Sequence, residues 1–179
     1  MEKFAIFFAA ACHDLNHPGV SNSFMVKTKS QLALLYNDQS VLENHHLAET
    51  FKHLYSSDLN VLGHLPQADQ ETARRIIIDL VLATDMARHF SFVSTFNSKI
   101  SAGNLGFSWS EDLTLVFQML IKCADVSNPG KPQSVYLQWV SLITEEFFRQ
   151  GDEEKRRGMP VTAFMVTAIA SFWFFIIFY

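Results

Sequence analysis

The run HDLNHPGVSN at residues 13–22 contains residue types that are suited to binding a divalent metal ion. His13 and His17 are four residues apart, which places them on one face of a helix if the helix continues that far. Asp14 is adjacent to His13 and reaches the same centre where the helix end opens. Neutral imidazole and carboxylate groups are ligands of zinc, manganese and magnesium, and the two oxygens of Asp14 allow it to bridge two ions. The alternative is a helix end with ordinary polar residues.

Three further clusters contain groups that are able to contribute to the same chemistry. Glu43 and His46 are three apart and face together on a helix, which suits the orientation of ligands or water but also fits an exposed polar stripe. The pair Thr84-Asp85 lies in a very apolar run, where unpartnered polar groups are costly to bury; a capped bend is the alternative. Asp125 follows an apolar helix and precedes Pro129, so it is either a helix terminus or a distant carboxylate brought to a metal.

The elements that must position these groups are predicted to be helices. Apolar residues recur at helical spacing and strand alternation is scarce, which indicates an all-α domain. The predicted helices are Glu2 to Asn16, a short helix ending near Asn37, a helix beginning at Ser40, a long stretch from Asp69 to Phe96, a helix reaching Ala124, and Ser134 to Gln150. Capping boxes are predicted at the start of two of them, pairing Ser40 with Glu43 and Ser108 with Glu111.

Composition and charge exclude several classes of function. The chain has 179 residues, of which 49% are apolar and 13% aromatic, so it is not a disordered chain. The net charge is −4 without a basic block, which argues against binding of nucleic acid. Cys12 and Cys123 both lie in apolar runs and are predicted to be buried free thiols. A reducing compartment fits this cysteine usage, and we therefore expect a cytoplasmic location.

These clusters together resemble the catalytic domain of the class I 3′,5′-cyclic-nucleotide phosphodiesterases, within the HD-domain superfamily. HDLNHPGVSN matches the family signature HDxxHxGxxN at every fixed position. The runs LALLYNDQSVLENHHLA, DLVLATDM, IKCADVSNP and EEFFRQGDEEKRRGMP follow in the family's order, and the closest likeness is to the cAMP-selective branches. The resemblance implies an incomplete multi-helix catalytic fold over residues 1–162, followed by an unrelated apolar tail at 163–179.

The resemblance also implies a role for particular residues. Three of the four protein ligands of a tightly held, zinc-type metal match His13, Asp14 and Asp125, and Asp14 matches the bridge to a second metal, magnesium or manganese. Positions that orient waters around the metals match His17, Glu43, His46 and Thr84. The nucleotide-base pocket and its aromatic wall match Asn128, Tyr136 and Trp139. The implied reaction is hydrolysis of a cyclic nucleotide, with cAMP favoured, to the 5′-monophosphate by water activated between the two metals.

The family's pattern is not fully present in these residues. An earlier family motif, HNxxHAxDV, supplies the general-acid histidine and the fourth ligand of the first metal, and it does not occur before His13. A glutamine and a phenylalanine that hold the purine are also expected some tens of residues beyond Val161 and are absent. The sequence therefore predicts that this chain alone is catalytically inactive. The alternatives are a truncated copy that acts as a binding or regulatory module, and a different HD-superfamily hydrolase.

The last part of the sequence permits two interpretations. No charged residue occurs after Arg157, and residues 160–179 have about the length needed to cross a bilayer. A tail anchor would associate the protein with a membrane, with Lys155, Arg156 and Arg157 at the cytoplasmic edge. The other interpretation is a mispredicted gene end, and it is favoured because the resemblance stops in mid-domain.

Overall fold

The computed structural model describes residues 1–56, 58–103 and 111–166, and the regular structure within these ranges is entirely helical. The α-helices of the described ranges are α1 (Glu2–Cys12), α2 (Asn22–Lys27), α3 (Gln31–Leu35), α4 (Val41–Leu54), α5 (Gln67–Ala83), α6 (His89–Ser101), α7 (Glu111–Asp125) and α8 (Gln133–Arg156). Short 3₁₀ turns lie at Met86–Arg88, Asn128–Gly130 and Ala163–Met165. The predicted all-α class is confirmed.

The chain forms two compact units. The first contains Met1–His17 and Ser21–Ser127, and the second contains Pro18–Val20 and the described part of the chain from Asn128 onwards. The first unit therefore holds α1 to α7, and the second holds α8 with the two 3₁₀ turns that flank it.

Helix α5 is the centre of the first unit's core. Its buried residues recur at helical spacing and form one apolar face: Ala73, Ile76, Ile77, Leu80 and Val81. This face packs against α1, α4 and α7. The helix α1 contributes Ala5 and Ala9, both fully buried, and such small side chains allow two helix backbones to approach closely. The packing fixes the ends of α1, α5 and α7 relative to one another.

Two predicted helices end earlier than the sequence indicated. The first ends at Cys12 rather than Asn16, because residues 13–16 form a turn and Asn16 has a positive φ of 61°. The prediction that His13 and His17 share a helix face is therefore wrong. The stretch from Asp69 to Phe96 is divided between α5, a 3₁₀ turn and α6, since Asp85 leaves the helical conformation with ψ 116° and its carboxylate accepts a bond from Ala87 N.

The start of α4 also differs from the prediction. Ser40 does precede the helix, but its backbone is left-handed, with φ 41°, and its hydroxyl makes no capping bond. The predicted capping box with Glu43 is wrong, because both side chains bond to other elements. The amide oxygen of Asn22, in the unpredicted helix α2, accepts from Leu42 N at 2.8 Å and satisfies the first turn of α4 instead. Of the second predicted capping box, Ser108 lies outside the described residues.

In the second unit, α8 continues past Gln150 to Arg156 and carries a buried carboxylate. Glu154 is fully buried and accepts bonds from Thr162 N at 2.7 Å, from the Thr162 hydroxyl at 3.0 Å and from the Gln150 amide at 2.8 Å. These bonds hold the segment after the helix against α8. Gly151 lies beneath that segment, and a Cβ added there would collide with the carbonyl of Met165. Gly151 is thus a close-approach position within the helix, one residue beyond the predicted helix end at Gln150.

We expect Gly151→Ala to destabilise the second unit. The methyl group displaces the backbone at Met165, and overpacking of this kind typically costs about 1–3 kcal/mol. Faster hydrogen exchange at Thr162 N, which donates to Glu154, and at Met165 N, which donates to Thr162 O, would measure the displacement. Ser141→Ala, at an exposed position of the same helix, is the matched control and should leave both amides unchanged. Equal exchange in both variants would contradict the packing argument.

The described helices include none that is both long and apolar enough to cross a membrane. Most of the predicted tail lies outside the described residues, since the description ends at residue 166. The two cysteines differ from each other: Cys12 is buried, as predicted, but Cys123 is exposed, so the prediction that both thiols are buried is wrong for Cys123.

Candidate metal centre

The first unit brings together His13, Asp14 and Asp125, although 112 residues separate His13 from Asp125. His13 and Asp14 follow the end of α1, and Asp125 is the last residue of α7. His13 Nε2 lies 3.4 Å from Asp14 Oδ2 and 3.3 Å from Asp125 Oδ1, and one ligand atom from each residue lies within 4.8 Å of the other two. Because α1 and α7 both pack on α5, these residues lie close together although they are distant in sequence.

Histidine 13 is held with one particular ring nitrogen directed at the carboxylates. Its Nδ1–H donates to Ala10 O at 2.9 Å, so Nε2 faces Asp14 and Asp125. The bond to Asp125 is the main cause that raises the pKa of His13 to about 9, with Ala10 O and the two negative charges adding to it and burial opposing it. Without a cation between the carboxylates, His13 is therefore protonated at neutral pH.

The donor set and its spacing fit a divalent cation. Ligand atoms about 2.1 Å from a metal stand about 3.0–3.4 Å apart in octahedral or tetrahedral arrangements. Both distances from His13 Nε2, 3.3 and 3.4 Å, agree with that spacing. A histidine whose other ring nitrogen donates to a backbone carbonyl is a common arrangement at metal sites, because that bond fixes the ring. The carboxylate of Asp14 is 64% exposed and has room for a second partner.

Histidine 46 lies behind this cluster and is almost completely buried. Its Nδ1–H donates to Leu15 O at 2.8 Å, while its Nε2 lies 3.8 Å from Asp14 Oδ1. Burial is the main cause that lowers the pKa of His46, so the ring is neutral at pH 7 and its Nε2 carries a lone pair towards the cluster. His17 stacks on His46 with ring centroids 5.5 Å apart. The structure thus places His46 beside Asp14 and the His17 ring against His46.

The carboxylate of Glu43 is held by hydrogen bonds from Asn22. The Asn22 amide donates to both carboxylate oxygens, at 2.9 and 3.3 Å, while its own oxygen caps α4 through Leu42 N. Burial is the main cause that raises the pKa of Glu43, and the charges of Asp85 and Asp14 raise it further. Sequence reasoning assigned no role to Asn22, although it is the last residue of the signature run.

The predicted role of Thr84 is less directly reflected in the geometry. Thr84 is buried, and its hydroxyl donates to Val81 O of its own helix at 2.7 Å. The neighbouring Asp85 is the residue that reaches another element, because its Oδ2 accepts from the Ser40 hydroxyl at 2.7 Å. The sequence pattern indicates the pair, but the resemblance predicts a site role only for Thr84.

The residues predicted to bind the base lie in the second unit. The Asn128 amide nitrogen is 3.5 Å from Tyr136 O, while its amide oxygen is buried without a hydrogen-bond partner among the described residues. Trp139 is half exposed, and the Lys131 ammonium lies 5.5 Å from the centre of its ring. A half-exposed indole is able to stack on a planar base, but this role stays a prediction.

We expect Asn22→Asp to destabilise the first unit in a pH-dependent way. Aspartate keeps the oxygen that caps Leu42 but cannot donate to Glu43, so two carboxylates face each other. One of them then binds a proton, and the loss of stability should be about 1–3 kcal/mol near pH 8 and smaller near pH 5. Urea unfolding at both pH values measures it. Asn97→Asp, at an exposed position of α6, is the control; a loss independent of pH would contradict the proposed clamp on Glu43.

Comparison with known proteins identifies the family. Residues 1–172 match the family model described as 3′5′-cyclic nucleotide phosphodiesterase. This chain belongs to the 3′,5′-cyclic-nucleotide phosphodiesterase family. The match includes all members of the candidate metal centre, and it runs past residue 162, where the sequence motifs predicted the domain to stop.

Two relatives show how much of a phosphodiesterase the chain represents. It is 44% identical over 168 residues to a 3′,5′-cyclic-AMP phosphodiesterase 4C of Rattus norvegicus, covering 90% of this chain and 31% of the relative. It is 41% identical over 165 residues to a probable 3′,5′-cyclic phosphodiesterase, pde-3, of Caenorhabditis elegans, covering 92% of this chain and 24% of the relative. The chain therefore spans less than a third of the length of these relatives.

Proposed function

We propose that the chain contributes the metal-binding part of a phosphodiesterase that hydrolyses 3′,5′-cyclic AMP to the 5′-monophosphate. The observation that carries the proposal is the convergence of His13, Asp14 and Asp125 at one point between the ends of α1 and α7. The preference for cAMP rests on the relative from Rattus norvegicus, whose name specifies that substrate.

In this proposal the described residues hold two divalent cations, a zinc-type ion and a magnesium or manganese ion. Such cations activate water for attack on phosphorus and neutralise charge on the phosphate oxygens. His13, Asp14 and Asp125 would hold the first ion, and Asp14, whose side chain is 64% exposed, would also bind the second. His46 presents a neutral Nε2 that is able to accept a hydrogen bond, and the bond from Nδ1 to Leu15 O keeps Nε2 facing the centre. Glu43, fixed by Asn22, provides a second acceptor near the same carboxylate.

We also infer that the 179 residues are catalytically weak by themselves. The motif to which the resemblance assigns the general acid and the fourth metal ligand does not occur among them. Binding of metal and turnover are therefore expected to separate: we expect the chain to bind a divalent ion through three ligands, but the resemblance assigns none of its residues to protonation of the leaving oxygen.

The metal-binding part of the proposal is tested by Asp14→Asn. We expect the affinity for Mn²⁺, measured by electron paramagnetic resonance, to fall on the order of a hundredfold, because the loss of a direct ligand should match or exceed the effect of losing an outer partner. Asp38→Asn, which changes an exposed carboxylate in the loop before α4, is the matched control. Equal Mn²⁺ affinity in the wild type and Asp14→Asn would refute the assigned centre.

A further inference from the structure

Lysine 122 is a buried cation that has no role in the proposed hydrolysis. It lies on α7 and is 4% exposed. Burial of an ammonium group is costly unless it is compensated by hydrogen bonds or opposite charge. Burial is the main cause that lowers the pKa of Lys122, and the charges of Asp125, Asp85 and Glu43 oppose that effect. The lysine is thus close to the carboxylates around the candidate metal centre.

The described hydrogen bond of Lys122 reaches a different helix. Its ammonium donates to Ala83 O at 2.9 Å, and Ala83 is the last residue of α5. The last carbonyls of a helix have no partner within the helix and carry the negative end of its dipole, so a cation there caps the helix. Lys122 therefore caps α5 from α7.

The position of this cap links two parts of the candidate centre. Immediately after Ala83 come Thr84 and Asp85, and the latter bonds to Ser40 at the start of α4. On its own helix, Lys122 lies three residues before Asp125, within one helical turn. One side chain therefore connects the end of α5 with the end of the helix that supplies Asp125.

We propose that Lys122 is a positioning residue that fixes Asp125 and the Thr84–Asp85 turn for metal binding. The inference rests on the proposed function, because it gives Lys122 a role at the same centre. The change in metal affinity when Lys122 is removed distinguishes two modes of action, repulsion of the metal and positioning of its ligands. A cation that merely repelled the metal would weaken binding, and its removal would strengthen it. A cation that positions the ligands strengthens binding, and its removal weakens it.

The test compares Lys122→Met, which removes charge and donor at similar length, with Lys122→Arg, which retains both. We expect Lys122→Met to weaken Mn²⁺ binding about 10–100-fold, as for the loss of other partners behind metal ligands, and Lys122→Arg to stay near the wild type. Lys27→Met, at an exposed position, is the control. Unchanged or tighter binding in Lys122→Met would overturn the proposal. If Lys122→Met does not fold, Lys122→Gln takes its place, with the same expectation.

A second readout needs no metal. In the metal-free protein, Lys122→Met should accelerate hydrogen exchange roughly tenfold at Thr84, Ala87 and Arg88, whose amides bond within the turn that the lysine caps. Amides of α2 should not change. If the wild type fails to bind Mn²⁺, the proposed function is refuted, yet the exchange rates still decide whether Lys122 holds the turn. Unchanged exchange there would overturn its positioning role.

Discussion

A polypeptide of these 179 residues is expected to hydrolyse cAMP about 10²–10⁴-fold more slowly than the full-length relative from Rattus norvegicus, which is the usual contribution of a general acid. The expectation depends on the proton donor of the reaction and not on the fold of the described residues. The described residues bring together three side chains that are able to ligate a cation, with one ligand atom of each within 4.8 Å of the others. None of the groups placed at this centre, however, is assigned to protonate the leaving O3′.

The measurement is the rate of 5′-AMP formation with Mg²⁺ and Mn²⁺ present. A fusion that carries the relative's segments on both sides of the matched region should recover turnover, and a fusion with the preceding segment alone should recover metal affinity only. The double fusion with Asp14→Asn is the matched control and should remain slow. Turnover by the 179 residues alone at the relative's rate would show that the proton comes from a group already present, and it would refute the assignment by resemblance.

The side chains that meet at the candidate centre were predicted more accurately from the sequence than the ends of the helices that carry them. His13, Asp14 and Asp125 were expected to converge because of their motifs, and the structure places them together. The apolar residues that follow Asp69 recur at helical spacing, which predicted a helix there, and in α5 residues at this spacing form the buried face. Helix ends were harder to predict, since they depend on partners that are distant in sequence.

The start of α4 illustrates that difficulty. A serine followed three residues later by glutamate is the sequence pattern of a capping box, yet Ser40 bonds to Asp85 and Glu43 bonds to Asn22. Both side chains make tertiary hydrogen bonds, which a local sequence pattern does not reveal. In the same way, Lys122 was read as part of a motif, and only the position of Ala83 O reveals it as the cap of another helix. Residues around the candidate centre therefore depart from local sequence patterns, because their side chains make tertiary contacts instead of local ones.

The apparent affinity for a divalent metal is expected to rise about 10³-fold between pH 6 and pH 9, because a metal must displace one proton from His13. The bond to Asp125 is the main cause that raises the pKa of His13 from 6.5 to about 9. Below that pKa, each decrease of one pH unit lowers the apparent affinity tenfold, and above it the affinity should level off. Isothermal titration with Mn²⁺ from pH 6 to 9 measures the slope, and His53→Gln, at an exposed position of α4, should leave it unchanged.

Stability of the metal-free protein should change in the opposite direction. A histidine whose pKa is raised on folding stabilises the fold fully below its ordinary value of 6.5, and this contribution is lost as the pH rises through about 9. The metal-free chain is therefore expected to lose stability over the same interval in which metal binding gains strength. In Asp125→Asn the main cause of the shift is absent, so a nuclear magnetic resonance titration of the His13 ring should show a lower pKa. If the ring still titrated near 9 in that variant, the pair between His13 and Asp125 would not be the origin of the shift, and the opposed pH trends would lose their common cause.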